Sequence, residues 1–276
     1  MSNLFGDQKG AGNIPSRNIM KNDFGWDIPF ESIPIPSKGV IYSPNSILHN
    51  KETVQIKAMT AREEDILSSQ ALIKEGTVVD NLIESCVSDP GFNSSELLMG
   101  DRNALLVAIR ITGYGSDYYV KHRCAYCSTY NDATVNLSNL PIKRLQISPV
   151  EEGKNLFLFK LPITKKEVLF KFKTAEDEKN NFKEQQNIRK NNLGIISGDI
   201  TKALEQAIYS VGGVTDRNKI KHFILNMPAL DAKKLREYIR ENEPGMDMMH
   251  SYNCKECGSL NEMGVPITTE FFWPTK

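Results

Sequence analysis

Two Cys-x-x-Cys pairs, Cys124-Ala125-Tyr126-Cys127 and Cys254-Lys255-Glu256-Cys257, lie 127 residues apart, counted from Cys127 to Cys254. Each spacing lets two thiolates approach one ion from a tight turn, and two such knuckles complete a tetrahedral four-sulfur site. Gly258, directly after the second pair, suits that turn, and Ser128 holds the place in the first. If one ion binds both knuckles, the chain between them is an insertion and the metal ties the first half of the protein to its end. Closing so long a loop in the unfolded chain is entropically unfavourable, and metal binding offsets the cost. The pattern predicts one structural zinc per chain, held by Cys124, Cys127, Cys254 and Cys257, although four thiolates also suit iron. A redox dithiol is the first competing reading, but such motifs normally open a helix in a βαβ setting. Two separate disulfides are the second, and five cysteines in 276 residues are too few for a disulfide scaffold.

Other residues near the pairs have plainer expectations. His122 and His250 precede the knuckles by two and four residues. With four cysteines available, both are expected beside the site rather than in it. Cys86 falls in the apolar helical pattern of Val79, Leu82, Ile83 and Val87 and reads as a small core residue.

Composition narrows function. Lys+Arg and Asp+Glu both number 34, so the formal net charge is +0, whereas a nucleic-acid-binding domain usually carries a basic excess or stripe. No apolar run approaches the roughly 18 residues of a membrane span. No charged segment followed by an apolar stretch opens the chain, so synthesis in the cytoplasm is expected. Phosphate-loop, dinucleotide, zinc-protease and nucleophile-elbow motifs are absent. A four-thiolate zinc leaves no open position for water, so no catalytic residue and no enzyme activity is expected. Glu63-Glu64-Asp65 favours a helix dipole rather than a cation, and His49 and His222 stand alone.

Along the chain, residues 1–35 are rich in Gly, Asn, Ser and Pro, with Phe5, Phe24, Trp26 and Phe30 interspersed. They read as an extended arm whose aromatics anchor on a neighbouring subunit. Residues 36–140 read as a helical part ending in the first knuckle. A strand at 53–58 precedes the capping box Thr60-Ala61-Arg62-Glu63. One helix from there carries Ile66, Leu72 and Ile73, Thr77 starts a second, and a third, nearly apolar all round, covers 101–111. Residues 141–247 read as an inserted β-hairpin (155–160 and 167–173) followed by helices over 175–192, 199–211, 216–226 and 229–242. Residues 248–276 hold the second knuckle and the aromatic end Phe271-Phe272-Trp273, packing back on the first. The fold class is α+β: a helical N-terminal part, a β portion stapled by the four-cysteine zinc, and the inserted hairpin and helices.

The order of these parts carries a resemblance. Pro36-Ser37-Lys38-Gly39-Val40-Ile41-Tyr42, Met59-Thr60-Ala61-Arg62-Glu63-Glu64-Asp65, Gly100-Asp101-Arg102-Asn103-Ala104 and Ile111-Thr112-Gly113-Tyr114-Gly115 come before the first knuckle, and Phe272-Trp273-Pro274 closes the chain. This succession resembles baseplate hub proteins of contractile-tailed bacteriophages, over roughly residues 36–140 and the last thirty. The resemblance implies a non-enzymatic structural or assembly component of the virion's tail baseplate, made in the host cytoplasm. Its partners would be other hub, wedge and tail proteins, with several copies per tail. Two alternatives stand beside it: an assembly chaperone absent from the mature virion, and a zinc-ribbon protein associated with nucleic acid. The latter requires Lys121, His122, Arg123 and Lys255 to gather on one face with Tyr126.

Overall fold

The computed structural model describes residues 25, 27–190, 199–267 and 269–273. The expected arm as far as Phe24, Trp26, the end of the charged helix at 191–192 and Pro274 lie outside them. The fold is α+β, with eight α-helices and five small antiparallel sheets among the described residues.

The first sheet is β1 (Phe30–Pro34) against β2 (Thr53–Lys57), with Phe30 opposite Lys57. The last residues of the stretch expected as an arm are therefore a strand, in a two-stranded ladder whose free edge tolerates Pro34. Thr60 then starts α1 (Ala61–Ser68), and the Glu63 carboxylate accepts the Thr60 amide at 2.9 Å and its hydroxyl at 2.5 Å. The single helix expected here breaks at Ser69, whose ψ of 107° is extended, and restarts as α2 (Gln70–Glu75). Two consecutive serines, which hydrogen-bond locally and favour caps over helix interiors, explain the break. After α3 (Val78–Cys86), where Leu82, Ile83 and Cys86 are buried, the chain enters α4 (Met99–Tyr114).

Helix α4 is the centre of the molecule, with every residue from Ala104 to Arg110 buried. Its first turn is tied to the segment at 36–42 through Asp101. That carboxylate accepts the Ser37 amide at 2.9 Å, the Ser37 hydroxyl at 2.5 Å and the Tyr42 hydroxyl at 2.5 Å. Tyr42 in turn accepts the amide of Leu98 at 3.0 Å. Burial pushes the Asp101 carboxyl up to about 6, against these hydrogen bonds.

The two ends of residues 141–247 lie side by side. Strand β5 (Ile142–Lys143) pairs antiparallel with β9 (Gly245–Met246), and the Asp247 amide donates to the Pro141 carbonyl at 2.8 Å. This short stem returns the chain to where it left the first knuckle. Between its ends, β6 (Phe157–Lys160) and β7 (Glu167–Phe170) form the expected hairpin. The helices are α5 (Ala175–Lys190), α6 (Asp199–Ala207), α7 (Arg217–Asn226) and α8 (Ala229–Asn242). The helix expected over 199–211 ends at Ala207, and Ile208–Val211 is instead β8, paired with β7. Ile208 and Val211 are β-branched, and pairing buries them with Ser210 before the turn at Gly212-Gly213. Asp231, in the first turn of α8, accepts the amides of Ile163 and Thr164 at 2.7 and 3.0 Å and clamps the β6–β7 connection. One cluster of buried side chains runs from Ile35 through Leu106, Phe157 and Leu235 to Phe272. The stretches 36–140, 141–247 and 248–276 thus share a core.

Candidate metal centre

Two hairpins carry the cysteines: β3 (Asp117–Arg123) with β4 (Tyr130–Asn136), and β10 (Met249–Asn253) with β11 (Leu260–Gly264). Each knuckle turns in the same way. The Cys124 amide donates to the Thr129 carbonyl at 2.9 Å and the Ser128 amide to the Cys124 carbonyl at 3.0 Å. In the second knuckle Cys254 donates to Ser259 at 3.0 Å and Gly258 to Cys254 at 2.9 Å. Ser128 and Gly258 both adopt left-handed backbone, with φ of 64° and 70°. Glycine does so freely; serine holds it at some strain.

The four sulfurs lie within 4.8 Å of one another. The Cys124–Cys257 and Cys127–Cys254 Sγ distances are 3.7 and 3.5 Å, and both pairs cross from one knuckle to the other. A tetrahedron of zinc–sulfur bonds has sulfur–sulfur edges of about 3.8 Å, from the usual bond length. The donor set and its spacing thus fit a single ion that could be held by both knuckles. Cys124 and Cys254 are buried, whereas Cys127 and Cys257 are exposed, so the site opens at one side. The amides of Cys257 and Glu256 and the Asn131 side chain hold the Cys254 thiol down at about 6, with burial opposing them. The Cys124 thiol is also lowered, first by the Cys127 amide.

Two residues that cysteine spacing did not single out complete the arrangement. Asn131 Nδ2 donates to Cys254 Sγ at 3.4 Å, and Asn261 Nδ2 donates to Cys124 Sγ at 3.5 Å. Both asparagines are buried. The signal that could have found them is the longer repeat, Cys124-Ala-Tyr-Cys-Ser-Thr-Tyr-Asn131 against Cys254-Lys-Glu-Cys-Gly-Ser-Leu-Asn261. Both follow Cys-x-x-Cys-x-[Ser/Thr]-x-Asn.

Neither histidine joins the cluster. His122 is buried, its ring centroid 4.8 Å from that of Tyr252 across the hairpins, and neither ring nitrogen has a protein hydrogen bond. Burial, with His250 nearby, pushes its pKa down, which favours the neutral ring. Lys121 and Arg123 alternate with His122 along β3 and face outward, so Lys121, His122 and Arg123 do not form one basic face. Of the aromatic end, Phe271 and Phe272 are buried, with the Phe271 ring 5.0 Å from Tyr118 of β3, whereas Trp273 is exposed. No helix among the described residues is long and apolar enough to cross a membrane.

A family model described as T4 bacteriophage base plate protein matches residues 41–273, a span that includes all four cysteines and the Phe271-Phe272 pair. No curated protein and no solved structure matches the chain.

Proposed function

The chain belongs to the T4 bacteriophage base plate protein family, and from that premise we propose that it is a non-enzymatic component of the baseplate hub, stapled by one structural zinc. As a baseplate protein it is a part of the virion tail and associates with other baseplate and tail proteins. The observation that carries the staple is that two knuckles, 127 residues apart in sequence, bring four sulfurs within 4.8 Å inside the matched span, and the hub position rests on the resemblance of the sequence to hub proteins. Cys124, Cys127, Cys254 and Cys257 would hold the ion. With all four positions taken by thiolates, the ion supplies a crosslink and no site for water or substrate.

The physical case for a staple rests on compartment and load. A protein folded in a reducing cytoplasm keeps its thiols free. Metal ligation still joins distant segments there, and it adds binding free energy to folding. A hub part that bears force as a tail contracts gains from having its ends joined in this way. The hub assignment, several copies per tail, and retention in the mature particle are tested together by quantitative mass spectrometry. The protein is measured in purified intact particles against a major tail protein of known copy number. A small fixed stoichiometry supports the hub. Absence from particles, with abundance in the infected-cell lysate, would replace the hub reading with that of an assembly chaperone.

A further inference from the structure

We infer that Asn131 and Asn261 are reciprocal positioning residues of the metal centre: each stands in one knuckle and orients the other knuckle's inner thiolate, so that neither half-site is complete without its partner. This inference rests on the metal-centre reading above and extends it to residues outside the ligand set.

The geometry is a closed exchange. Asn131, on β4, receives the Lys255 amide of the second knuckle on its Oδ1 at 2.8 Å. Its Nδ2 donates to the Thr129 carbonyl of its own knuckle at 3.1 Å and to Cys254 Sγ at 3.4 Å. Asn261, on β11, repeats every contact with the roles reversed. It takes the Ala125 amide at 3.0 Å and donates to the Ser259 carbonyl at 2.8 Å and to Cys124 Sγ at 3.5 Å. The orientation of each side-chain amide is set by chemistry. A backbone N–H must meet the oxygen, while a carbonyl and a sulfur must meet the NH2 group.

Asparagine alone fills this role at this length. Aspartate would match its shape but turn a second acceptor toward a thiolate and a carbonyl. Alanine would leave one backbone amide and one carbonyl without this partner and take one donor away from a buried sulfur. A thiolate gains from N–H donors because they stabilise its charge in a low-dielectric setting, and a fixed donor also fixes the direction of its lone pairs. Each donor comes from the opposite hairpin, so docking of the hairpins and shaping of the ligand sphere are one event. The pairs are 123 and 137 residues apart in sequence. The metal centre is therefore built from two half-sites that interlock, rather than from one preformed pocket.

The test uses the full chain, with cobalt(II) in place of zinc as a spectroscopic probe and zinc affinity measured by competition with a chelator. The variants are Asn131→Asp, Asn261→Asp and the two together. Val135→Ala serves as a comparison, because Val135 is buried in the same hairpin and its side chain can make no hydrogen bond to sulfur. Each asparagine variant should weaken zinc by roughly 10–100-fold, as loss of an outer partner typically does. Each should also move the sulfur-to-cobalt charge-transfer band to lower energy, since a thiolate without its donor gives up charge more readily. Val135→Ala should lower the melting temperature and leave that band in place. Wild-type affinity and an unchanged band in both asparagine variants would overturn the inference. If the wild-type chain took up neither zinc nor cobalt, the metal-centre reading itself would fall.

Discussion

Arg110 Nε donates a 2.9 Å hydrogen bond to the carbonyl of Phe271, 161 residues further along the chain. The same guanidinium reaches the carbonyls of Gly115 at 2.8 Å and Asp117 at 3.3 Å. One buried side chain of α4 thus holds the helix's own exit, the start of β3 and the aromatic end together. Among the described residues no carboxylate is one of its hydrogen-bond partners, so three oriented carbonyls and the Tyr114 ring, 5.3 Å from the guanidinium carbon, share the desolvated charge.

Arg110→Met keeps much of the side chain's volume and removes every donor. Three carbonyls then lose their partner in or near the core, where an unmet polar group costs about 1–3 kcal/mol. The expected loss is about 3 kcal/mol in urea unfolding, with some of the apolar packing retained. A change within about 0.5 kcal/mol, the range of an ordinary surface substitution, would mean that the contact contributes nothing to stability.

Gly100 poses a contest between two effects. Gly100 is the second residue of α4, where Gly→Ala should gain less than the roughly 1 kcal/mol of a helix interior. Here a Cβ would come 1.8 Å from the Pro244 carbonyl oxygen and 2.7 Å from Gly245 Cα, both backbone atoms where the chain enters β9. Backbone cannot rotate away as a side chain can, so the clash wins. Gly100→Ala is expected to destabilise by about 2–3 kcal/mol, in the range of overpacked cores. A rise in the unfolding midpoint would show that the stem can move away from α4.

Glu63 and Asp101 set opposite pH dependences. Burial favours the neutral form of Glu63, but hydrogen bonds from Lys57, Ser85 and Thr60 hold its pKa at about 2, below the ordinary 4.5. Its contribution is complete above the unfolded value and is lost as pH falls from about 5 toward 2. Asp101 is raised from 3.8 to about 6, so the folded state binds its proton first and that contribution shrinks as pH rises through 6. Urea unfolding at pH 7, 5, 4 and 3 should show the stability gap between wild type and Glu63→Gln narrowing below pH 5, by about 2 kcal/mol at pH 3. Metal loss in acid affects both proteins alike and drops out of the difference. A gap independent of pH would refute the lowered Glu63 value.

Much of this molecule is written in short-range chemistry. Thr60 and Glu63 announce α1, Asp216 caps α7 by accepting the Lys219 amide at 2.9 Å, and the apolar run at 104–109 marks the central helix. The four cysteines of the candidate site are legible because their spacing has few other uses. The elements that differ from the sequence pattern depend on tertiary partners. Ile208–Val211 continues the pattern of α6 and becomes a strand only because β7 offers an open edge. Asn131 and Asn261 look like ordinary strand-end polar residues until the hairpins dock. The return of the chain through β5 and β9 is two residues long on each side, too short to leave a periodic signal. Asp101 is a first-turn acid by sequence, and its role in fastening the segment at 36–42 appears only with Ser37 and Tyr42 beside it.

The central claim is that one metal ion joins the two knuckles, and its most direct test is elemental analysis of the full chain purified under reducing conditions. Wild type should carry about one zinc per chain, and Cys124→Ser and Cys254→Ser should each lose it and melt at a lower temperature, because each removes a thiolate from the same tetrahedral set. Full zinc retention in either single variant, or a wild-type chain without metal, would contradict the shared centre.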